Sequence, residues 1–184
     1  MLKRLFDILF SLIGLVLLSW VFVIFWIIAS LDTQSNGLFV QERIGQWGCI
    51  FKIYKLKTMH PVTANISVFG SFVRKSKIDE LPQLWNIMKG DMSFVGPRPD
   101  IPGYYDALEG ESRKILELKP GITSEASIKY RNEETLLAQQ DNPLTYNDTV
   151  IFPEKVRMNL DYYYNNSLVG DLKIIFKTLL RHNE

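Results

Sequence analysis

Cysteine and histidine are almost absent from this chain of 184 residues, which contains one of the former and two of the latter. The single cysteine, Cys49, excludes an internal disulfide and a thiolate metal cluster, and we expect it to be buried in a strand. His60 and His182 alone offer little from which to build a histidine metal site or a Ser-His-Asp triad. The formal net charge of +1 lacks the basic excess of nucleic-acid-binding proteins, so nucleic acid is not an expected partner.

Hydrophobic residues make up 47% of the chain, and a long run of them lies near the N-terminus. Residues 8–31 hold no ionisable group, and as a helix they would extend about 36 Å, compared with ~30 Å for the hydrocarbon core of a bilayer. A cleaved signal peptide is one alternative, and a simple spanning helix with Lys3 and Arg4 in the cytoplasm is another. We predict a membrane helix over residues 1–31 and one further domain over residues 32–184.

Two strand signals follow this apolar segment. Residues 38–42 and 49–57 are rich in β-branched and aromatic side chains and flank a glycine-bounded turn, which predicts a β-hairpin. Because side chains alternate along a strand, Lys55 and Lys57 share one face and Lys52 lies on the other. Lys55 and Lys57 therefore face either solvent or an anionic site.

Apolar residues at helical spacing predict that most of the remaining chain is helical. In the last helix, from Leu168, the residues Lys173, Lys177 and Arg181 lie opposite an apolar face, which is typical of a helix at a membrane interface or of a core helix with a solvated edge. The fold class is therefore α+β, predominantly α-helical, with a small β-hairpin. The predicted helices are one that carries Ile66, Phe69, Phe72 and Val73 and delivers Arg74, one over residues 111–118, one from Pro153 to about Asn165, and the last one.

Charge, proline and apolar anchors are most concentrated between Arg74 and Pro99. The adjacent carboxylates of Asp79 and Glu80 precede a proline, which suits the first turn of a helix because that turn has no intrahelical partner for an N–H. We expect this helix to begin near Ile78 or Asp79, to use Leu81, Leu84, Trp85 and Met88 as its anchoring face, and to end at Gly90. Asp79 is then either a helix cap or a reactive group at the positive end of the helix.

An arginine lies between two prolines in Pro97-Arg98-Pro99. Pro99 biases Arg98 toward extended backbone and Pro97 fixes its own φ, so the guanidinium is presented from a stiff loop. A fixed guanidinium fork suits phosphate oxygens, and the alternative is a surface arginine in a proline turn.

Six motifs in order resemble the bacterial monotopic phosphoglycosyl transferases, which begin glycoconjugate assembly by transferring a sugar phosphate. The resemblance covers nearly the whole chain. The motifs are Lys3-Arg4 with Asp7 before the apolar segment, KIYKLKTM (52–59), an arginine five residues before DELPQLWN (Arg74 and 79–86), KGDMSFVGPRP (89–99), KPGIT (119–123) and LDYYYNNSLVGDLKI (160–174).

The resemblance implies a re-entrant membrane helix, amphipathic interfacial helices, and an active site on the cytoplasmic face of the inner membrane. The implied reaction moves a sugar 1-phosphate from a UDP-sugar to a polyprenyl (undecaprenyl) phosphate and releases UMP, through an aspartyl phosphosugar on Asp79. Glu80 is implied as the second catalytic residue, and a Mg²⁺ ion is implied at Asp79 and Glu80. A homodimer is left open. The implied substrate- and phosphate-binding residues are Lys55, Lys57, Arg74, Pro97, Arg98, Pro99 and Asp161.

The sequence departs from the family's usual form at two places. Trp20 follows Ser19 where the family usually has proline, so a bend in the membrane helix would depend on Ser11, Gly14 and Ser19. From Ser124 onward the usual sugar-contacting run is replaced, so no role can be transferred to that segment. The alternative functions are a membrane-anchored scaffold without chemistry and a metal-dependent phosphohydrolase of nucleotide sugars.

Overall fold

The computed structural model describes residues 2–180, which form two compact units. Unit 1 takes residues 1–43 and 50–93, and unit 2 takes residues 44–49 and 94–184. Arg181, which the sequence places on the basic face of the last helix, and His182 lie outside the described residues. The predicted boundary at residue 31 stays a prediction.

Unit 1 is built around one long helix, one hairpin and two short helices. The hairpin confirms the sequence prediction, although Cys49 is exposed rather than buried, because it lies at the end of the turn and not inside a strand. In order, the elements from α1 to β3 are α1 (Leu2–Asp32), β1 (Leu38–Ile44), a 3₁₀ turn (Gln46–Gly48), β2 (Ile50–Leu56), α2 (Val68–Lys75), a second 3₁₀ turn (Ile78–Glu80), α3 (Gln83–Lys89) and β3 (Ser93–Val95), of which the first 3₁₀ turn and most of β3 belong to unit 2.

Helix α1 is the one helix among the described residues that is long and apolar enough to cross a membrane. Only 6% of its most apolar window is buried inside the protein, whereas the core helix of a soluble protein would be mostly buried. Trp20 and its apolar neighbours are exposed along the whole middle of the helix. An exposed apolar surface of this length requires lipid, so the protein associates with a membrane.

Arg4 and Asp7, near the start of α1, bond to other elements of unit 1. Arg4 donates to the carbonyl oxygens of Ile87 (2.6 Å) and Met88 (2.9 Å) at the end of α3, and Ser93 bonds to the buried Asp7 at 3.1 Å. A Cβ on Gly14 would lie 3.0 Å from the side chain of Leu84, so this glycine allows α1 and α3 to pack closely. The helix is continuous from Leu2 to Asp32, and the predicted re-entrance stays a prediction.

Two side chains fix the short helices of unit 1. Ser67 is the N-cap of α2, where its hydroxyl accepts from the Gly70 N–H at 2.9 Å. Asn86, which is fully buried in α3, donates to the Lys52 carbonyl at 2.7 Å and accepts from the Tyr54 N–H at 3.2 Å, so it joins α3 to strand β2. The buried face of α3 consists of Gln83, Leu84, Asn86 and Ile87.

The predicted anchoring face of α3 was therefore wrong in part. Leu84 is buried as expected, but Trp85 is about half exposed and points away from the core. The apolar spacing predicted a face of Leu81, Leu84, Trp85 and Met88, whereas Asn86 bonds to β2 and faces inward with Ile87. Gly90 ends α3 with a φ of 106°, as predicted, because this left-handed conformation is readily adopted only by glycine.

Unit 2 has a core of Ile44, Tyr105, Ile115 and Leu116, against which Phe152, Val156 and Leu160 pack. The predicted helix over residues 111–118 is a 3₁₀ helix, and the helices predicted at Pro153 and Leu168 are confirmed. After β3, the elements are two 3₁₀ helices (Tyr105–Ala107 and Gly110–Glu117), β4 (Gly121–Thr123), α4 (Glu125–Lys129), α5 (Glu133–Ala138), α6 (Pro143–Tyr146), a π-helix (Asn147–Ile151), α7 (Phe152–Asn165) and α8 (Leu168–Leu180).

Candidate active site

Asp79 and Glu80 lie in the 3₁₀ turn Ile78–Glu80, which we call the carboxylate turn. Lys77 precedes it in a left-handed conformation with a φ of 58°, and Leu81 and Pro82 continue it in right-handed helical geometry into α3. The predicted start near Ile78 is confirmed for this turn, while the α-helix itself begins at Gln83. The cap positions are occupied by Lys77 and Pro82, so Asp79 does not occupy the position of a helix cap.

Both carboxylates are almost fully buried, with exposed fractions of 8% for Asp79 and 6% for Glu80. Burying a charged group is costly unless it is paired or hydrogen-bonded. Glu80 meets this requirement through Lys55, whose Nζ lies 3.3 Å from Glu80 Oε1. Lys55 comes from strand β2, so the hairpin supplies the cation next to the carboxylate turn.

The other two predicted cations of unit 1 are hydrogen-bonded to hydroxyl groups. Lys57 Nζ donates to Ser35 Oγ at 2.9 Å, and Arg74 Nε donates to Thr58 Oγ1 at 2.8 Å. Thr58 is itself buried, which fixes the position of the arginine. Lys55 therefore pairs with Glu80, whereas Lys57 is bonded to the loop that follows α1 and Arg74 to the loop that follows β2.

The loop that carries Arg98 belongs to unit 2. Pro97 and Pro99 are buried and Arg98 is exposed, as expected for a guanidinium presented from a stiff loop. The backbone of the KPGIT motif holds the loop, since the Gly96 N–H donates to the Thr123 carbonyl and the Gly121 N–H donates to the Pro97 carbonyl, at 3.0 and 2.8 Å.

Gly96 itself allows this backbone pairing. A Cβ there would lie 2.2 Å from the carbonyl oxygen of Lys119, so no larger residue fits without moving the backbone. The sequence showed both motifs, and the structure shows that one supports the other.

Asp161 is also in unit 2, exposed on α7, where its carboxylate accepts from Asn165 Nδ2 at 2.9 Å. The sequence analysis missed Asp171 on the neighbouring helix α8, which is buried and accepts from the Tyr162 hydroxyl at 2.5 Å. Asp171 lies four and eight residues before Ile175 and Leu179, on the apolar face of α8, and this spacing was the signal that could have identified it.

The residues present fit a magnesium ion that takes only part of its ligands from the protein. Within residues 2–180, His, Cys, Asp and Glu side chains form no cluster of three or more that could hold a metal. The two carboxylates of the carboxylate turn suit a cation such as Mg²⁺, which commonly binds to one or two carboxylates and completes its shell with phosphate oxygens and water.

The segment of residues 124–150, which departs from the resembled motifs, is held to α7 by charged groups. Glu154 accepts from Lys129 Nζ at 2.6 Å and from the Tyr130 hydroxyl, and these bonds lower the pKa of Glu154 to about 2. Burial and the bond to Glu154 raise the pKa of Tyr130 to about 12. Lys155 forms a second ion pair with Glu133 at 2.6 Å.

Comparison with known proteins finds a family that matches almost the whole chain. Residues 1–183 match the family described as "Bacterial sugar transferase". The UDP-glucose:undecaprenyl-phosphate glucose-1-phosphate transferase of Caulobacter vibrioides is 30% identical over 96% of this chain and 68% of its own length. The galactosyl transferase CpsE of Streptococcus agalactiae is 32% identical over 96% of this chain and 41% of its own length.

The undecaprenyl-phosphate galactose phosphotransferase of Salmonella typhimurium is 29% identical over 96% of this chain. The alignment covers 39% of the Salmonella protein. The chain therefore spans less than half the length of the Salmonella protein and of the streptococcal protein.

Proposed function

The chain belongs to the bacterial sugar transferase family, and on that basis we propose that it transfers a sugar 1-phosphate from a UDP-sugar to a polyprenyl phosphate, undecaprenyl phosphate, with release of UMP. The observation that carries the proposal is the buried pair Asp79 and Glu80, with Lys55 against Glu80, in the unit that also holds the membrane helix. The names of the Caulobacter and Salmonella relatives support this substrate class.

Two displacements at one phosphorus account for the reaction. An oxygen of the Asp79 carboxylate attacks the phosphorus that carries the sugar, and the bond from that phosphorus to the bridging oxygen breaks, so UMP leaves with the electron pair. An oxygen of the polyprenyl phosphate then attacks the same phosphorus, and the bond to Asp79 breaks. The carboxylate is regenerated and the lipid diphosphate sugar is formed, without any oxidant or reductant.

Positioning and charge neutralisation are the protein's main contributions to such a phosphoryl transfer. Lys55 holds Glu80 in place, which leaves Asp79 as the proposed nucleophile of the pair. Arg98, on its backbone-pinned loop, offers a planar fork for phosphate oxygens, and Pro97 and Pro99 keep that fork fixed. Lys57, Arg74 and Asp161 are proposed to contribute to substrate binding.

Magnesium is proposed as the cofactor, held by Asp79 and Glu80 together with oxygens of the diphosphate. When bound, it would neutralise charge on the leaving phosphate and so lower the barrier to displacement. Because Glu80 already pairs with Lys55, its carboxylate would divide its oxygens between the lysine and the metal.

Re-entrance of α1, with both ends on the cytoplasmic face of the inner membrane, is proposed from the contacts of its two ends. Arg4 bonds to the end of α3, and Asp32 accepts from Ser67 at the start of α2, at 2.7 Å. If α1 spanned the bilayer, residues 67–88, which join these two points, would have to cross it as well. That stretch carries five charged side chains, which hydrocarbon does not accommodate.

The topology is tested with single cysteines at the two ends of α1. Leu2→Cys and Gln34→Cys, each in a Cys49→Ser background, are treated in intact cells with a membrane-impermeant maleimide. Both should remain unlabelled until the cells are opened, since both ends face the cytoplasm. Labelling of Gln34→Cys alone from outside would establish a spanning helix and contradict the proposal.

The function is tested by measuring UMP and lipid product with a panel of UDP-sugars, Mg²⁺ and undecaprenyl phosphate. A transferase releases UMP and forms one lipid-linked sugar for each UMP. A scaffold would release no UMP with any sugar, and a phosphohydrolase would release it without a lipid product. Either of those results would replace the proposal with the corresponding alternative.

A further inference from the structure

Gln83 is buried beside the carboxylate turn and has an unused hydrogen-bond donor. Its exposed fraction is 2%, and its side-chain nitrogen Nε2 has no hydrogen-bond partner among residues 2–180. Such a group is unusual, because buried polar atoms are nearly always hydrogen-bonded. The amide of Asn86, one turn further along α3, is bonded on both its nitrogen and its oxygen.

The backbone places Gln83 on the same face as the two carboxylates. The chain is right-handed helical from Ile78 through Pro82 into α3, with Leu81 N–H bonded to the Ile78 carbonyl at 3.1 Å. In such a backbone, residues three and four positions apart are neighbours on the surface. Gln83 is three positions after Glu80 and four after Asp79, so its side chain starts next to both.

We propose that Gln83 is a substrate-binding residue, whose Nε2 donates a hydrogen bond to a non-bridging oxygen of the phosphoryl group that Asp79 attacks. This inference rests on the proposed function. An amide nitrogen can only donate, so the ligand at this position must offer an acceptor. A phosphoryl oxygen next to Asp79 is such an acceptor, and a donor fixed where this oxygen lies in the in-line transition state stabilises the charge that is spread over the non-bridging oxygens.

Replacement of Gln83 by leucine distinguishes a role in substrate binding from a role in the stability of the fold. Gln83→Leu has nearly the same size but no donor, and replacing an unsatisfied buried amide with an apolar group should leave the unfolding temperature unchanged or higher. The rate of UMP release in a single turnover, with UDP-sugar and Mg²⁺ but no lipid, should fall about 100-fold, the typical loss for one donor to a developing oxyanion. The decrease should appear in the rate at saturating UDP-sugar rather than in its half-saturating concentration.

Gln46→Leu is the matched control. Gln46 is a half-buried glutamine whose Nε2 donates to the Glu117 carbonyl at 2.8 Å, outside the carboxylate turn. Its UMP release should equal that of the wild type. A similar loss in both variants would show that the assay reports general destabilisation and would overturn the proposal.

Gln83→Glu is a second variant of nearly the same size. An ionised carboxylate cannot donate to a phosphoryl oxygen and repels it, so UMP release should fall at least as far as in Gln83→Leu. This variant decides the matter if Gln83→Leu does not fold, and UMP release at the wild-type rate by a folded Gln83→Glu protein would overturn the role of Gln83.

The failure of this inference is distinguishable from failure of the proposed function. If the wild type forms no UMP with any UDP-sugar, the proposed function fails and the role of Gln83 fails with it. If the wild type reacts and Gln83→Leu releases UMP at the same rate, the function stands and Gln83 is not a phosphate ligand.

Discussion

The carboxylate turn and the segment of residues 124–150 hold their charged groups in different ways. In the turn, Asp79 and Glu80 are buried, and Glu80 is paired with a lysine from a strand. In the segment, the twenty residues from 131 to 150 are all described and none is buried, and the side chains of the two ion pairs to α7 are 20–50% exposed. The turn depends on packing, whereas the segment depends on ion pairs that remain accessible to solvent.

This difference indicates which part of the protein tolerates change. A surface ion pair contributes ~0–1 kcal/mol, so the segment can exchange such pairs without loss of the fold. A buried carboxylate that loses its partner costs several kcal/mol, so the turn cannot change in this way. We therefore expect the turn to carry the chemistry and the segment to tolerate substitution, and variants in the two should differ accordingly.

The largest effect is expected from Asp79→Asn. The amide keeps the size of the side chain but cannot act as an anionic nucleophile, so transfer should fall by about 10⁴-fold or more. The unfolding temperature should stay close to that of the wild type, as circular dichroism can check. Substantial turnover by a folded Asp79→Asn protein would show that Asp79 is not the nucleophile. The turn would then tolerate substitution as the segment does.

Arg98→Lys should have an intermediate effect, because Arg98 is exposed like the segment but sits on a loop fixed like the turn. A lysine keeps the charge but cannot form a planar fork, so kcat/KM for the UDP-sugar should fall about 10- to 100-fold. Steady-state kinetics at fixed lipid concentration measure this. Values within twofold of the wild type would group Arg98 with the tolerant surface residues.

The smallest effect is expected from Glu154→Gln, which weakens the bonds to Lys129 and Tyr130. The pKa of Glu154 is lowered to about 2, so its stabilising charge is fully present above the ordinary carboxyl pKa of 4.5 and is lost as the pH falls toward 2. At neutral pH the variant should unfold at a slightly lower temperature, and a protease should cleave it faster within residues 130–150. The difference in unfolding temperature should shrink below about pH 4.5.

A difference that is constant with pH would mean that the carboxylate charge of Glu154 does not hold the segment. A large loss of transfer activity in a folded Glu154→Gln protein would show that the segment does not tolerate substitution.

Local patterns in the sequence predicted the hairpin, the helix end at Gly90, the helix from Pro153 and the presentation of Arg98. These features follow from residues close together in the chain. The sequence did not predict the roles of Gln83, Asn86 and Asp171, because a buried polar side chain looks like a surface one until its distant partner is known. Asn86 is an example, since it bonds to Lys52 and Tyr54 more than thirty residues earlier.

The exposure of Trp85 was not predicted for the same reason. The bonds between Asn86 and β2 set the rotation of α3, and spacing within the helix alone could not reveal them.

In the proposed reaction, Asp79 becomes covalently attached to the sugar phosphate. The most direct measurement is the mass of the intact protein after incubation with UDP-sugar and Mg²⁺ without any lipid, followed by peptide mapping. We expect a gain of one sugar-phosphate mass on the peptide that contains Asp79, its absence in Asp79→Asn, and its loss when undecaprenyl phosphate is added. Release of UMP in proportion to transfer, with an unmodified protein throughout or with the added mass on another residue, would contradict it.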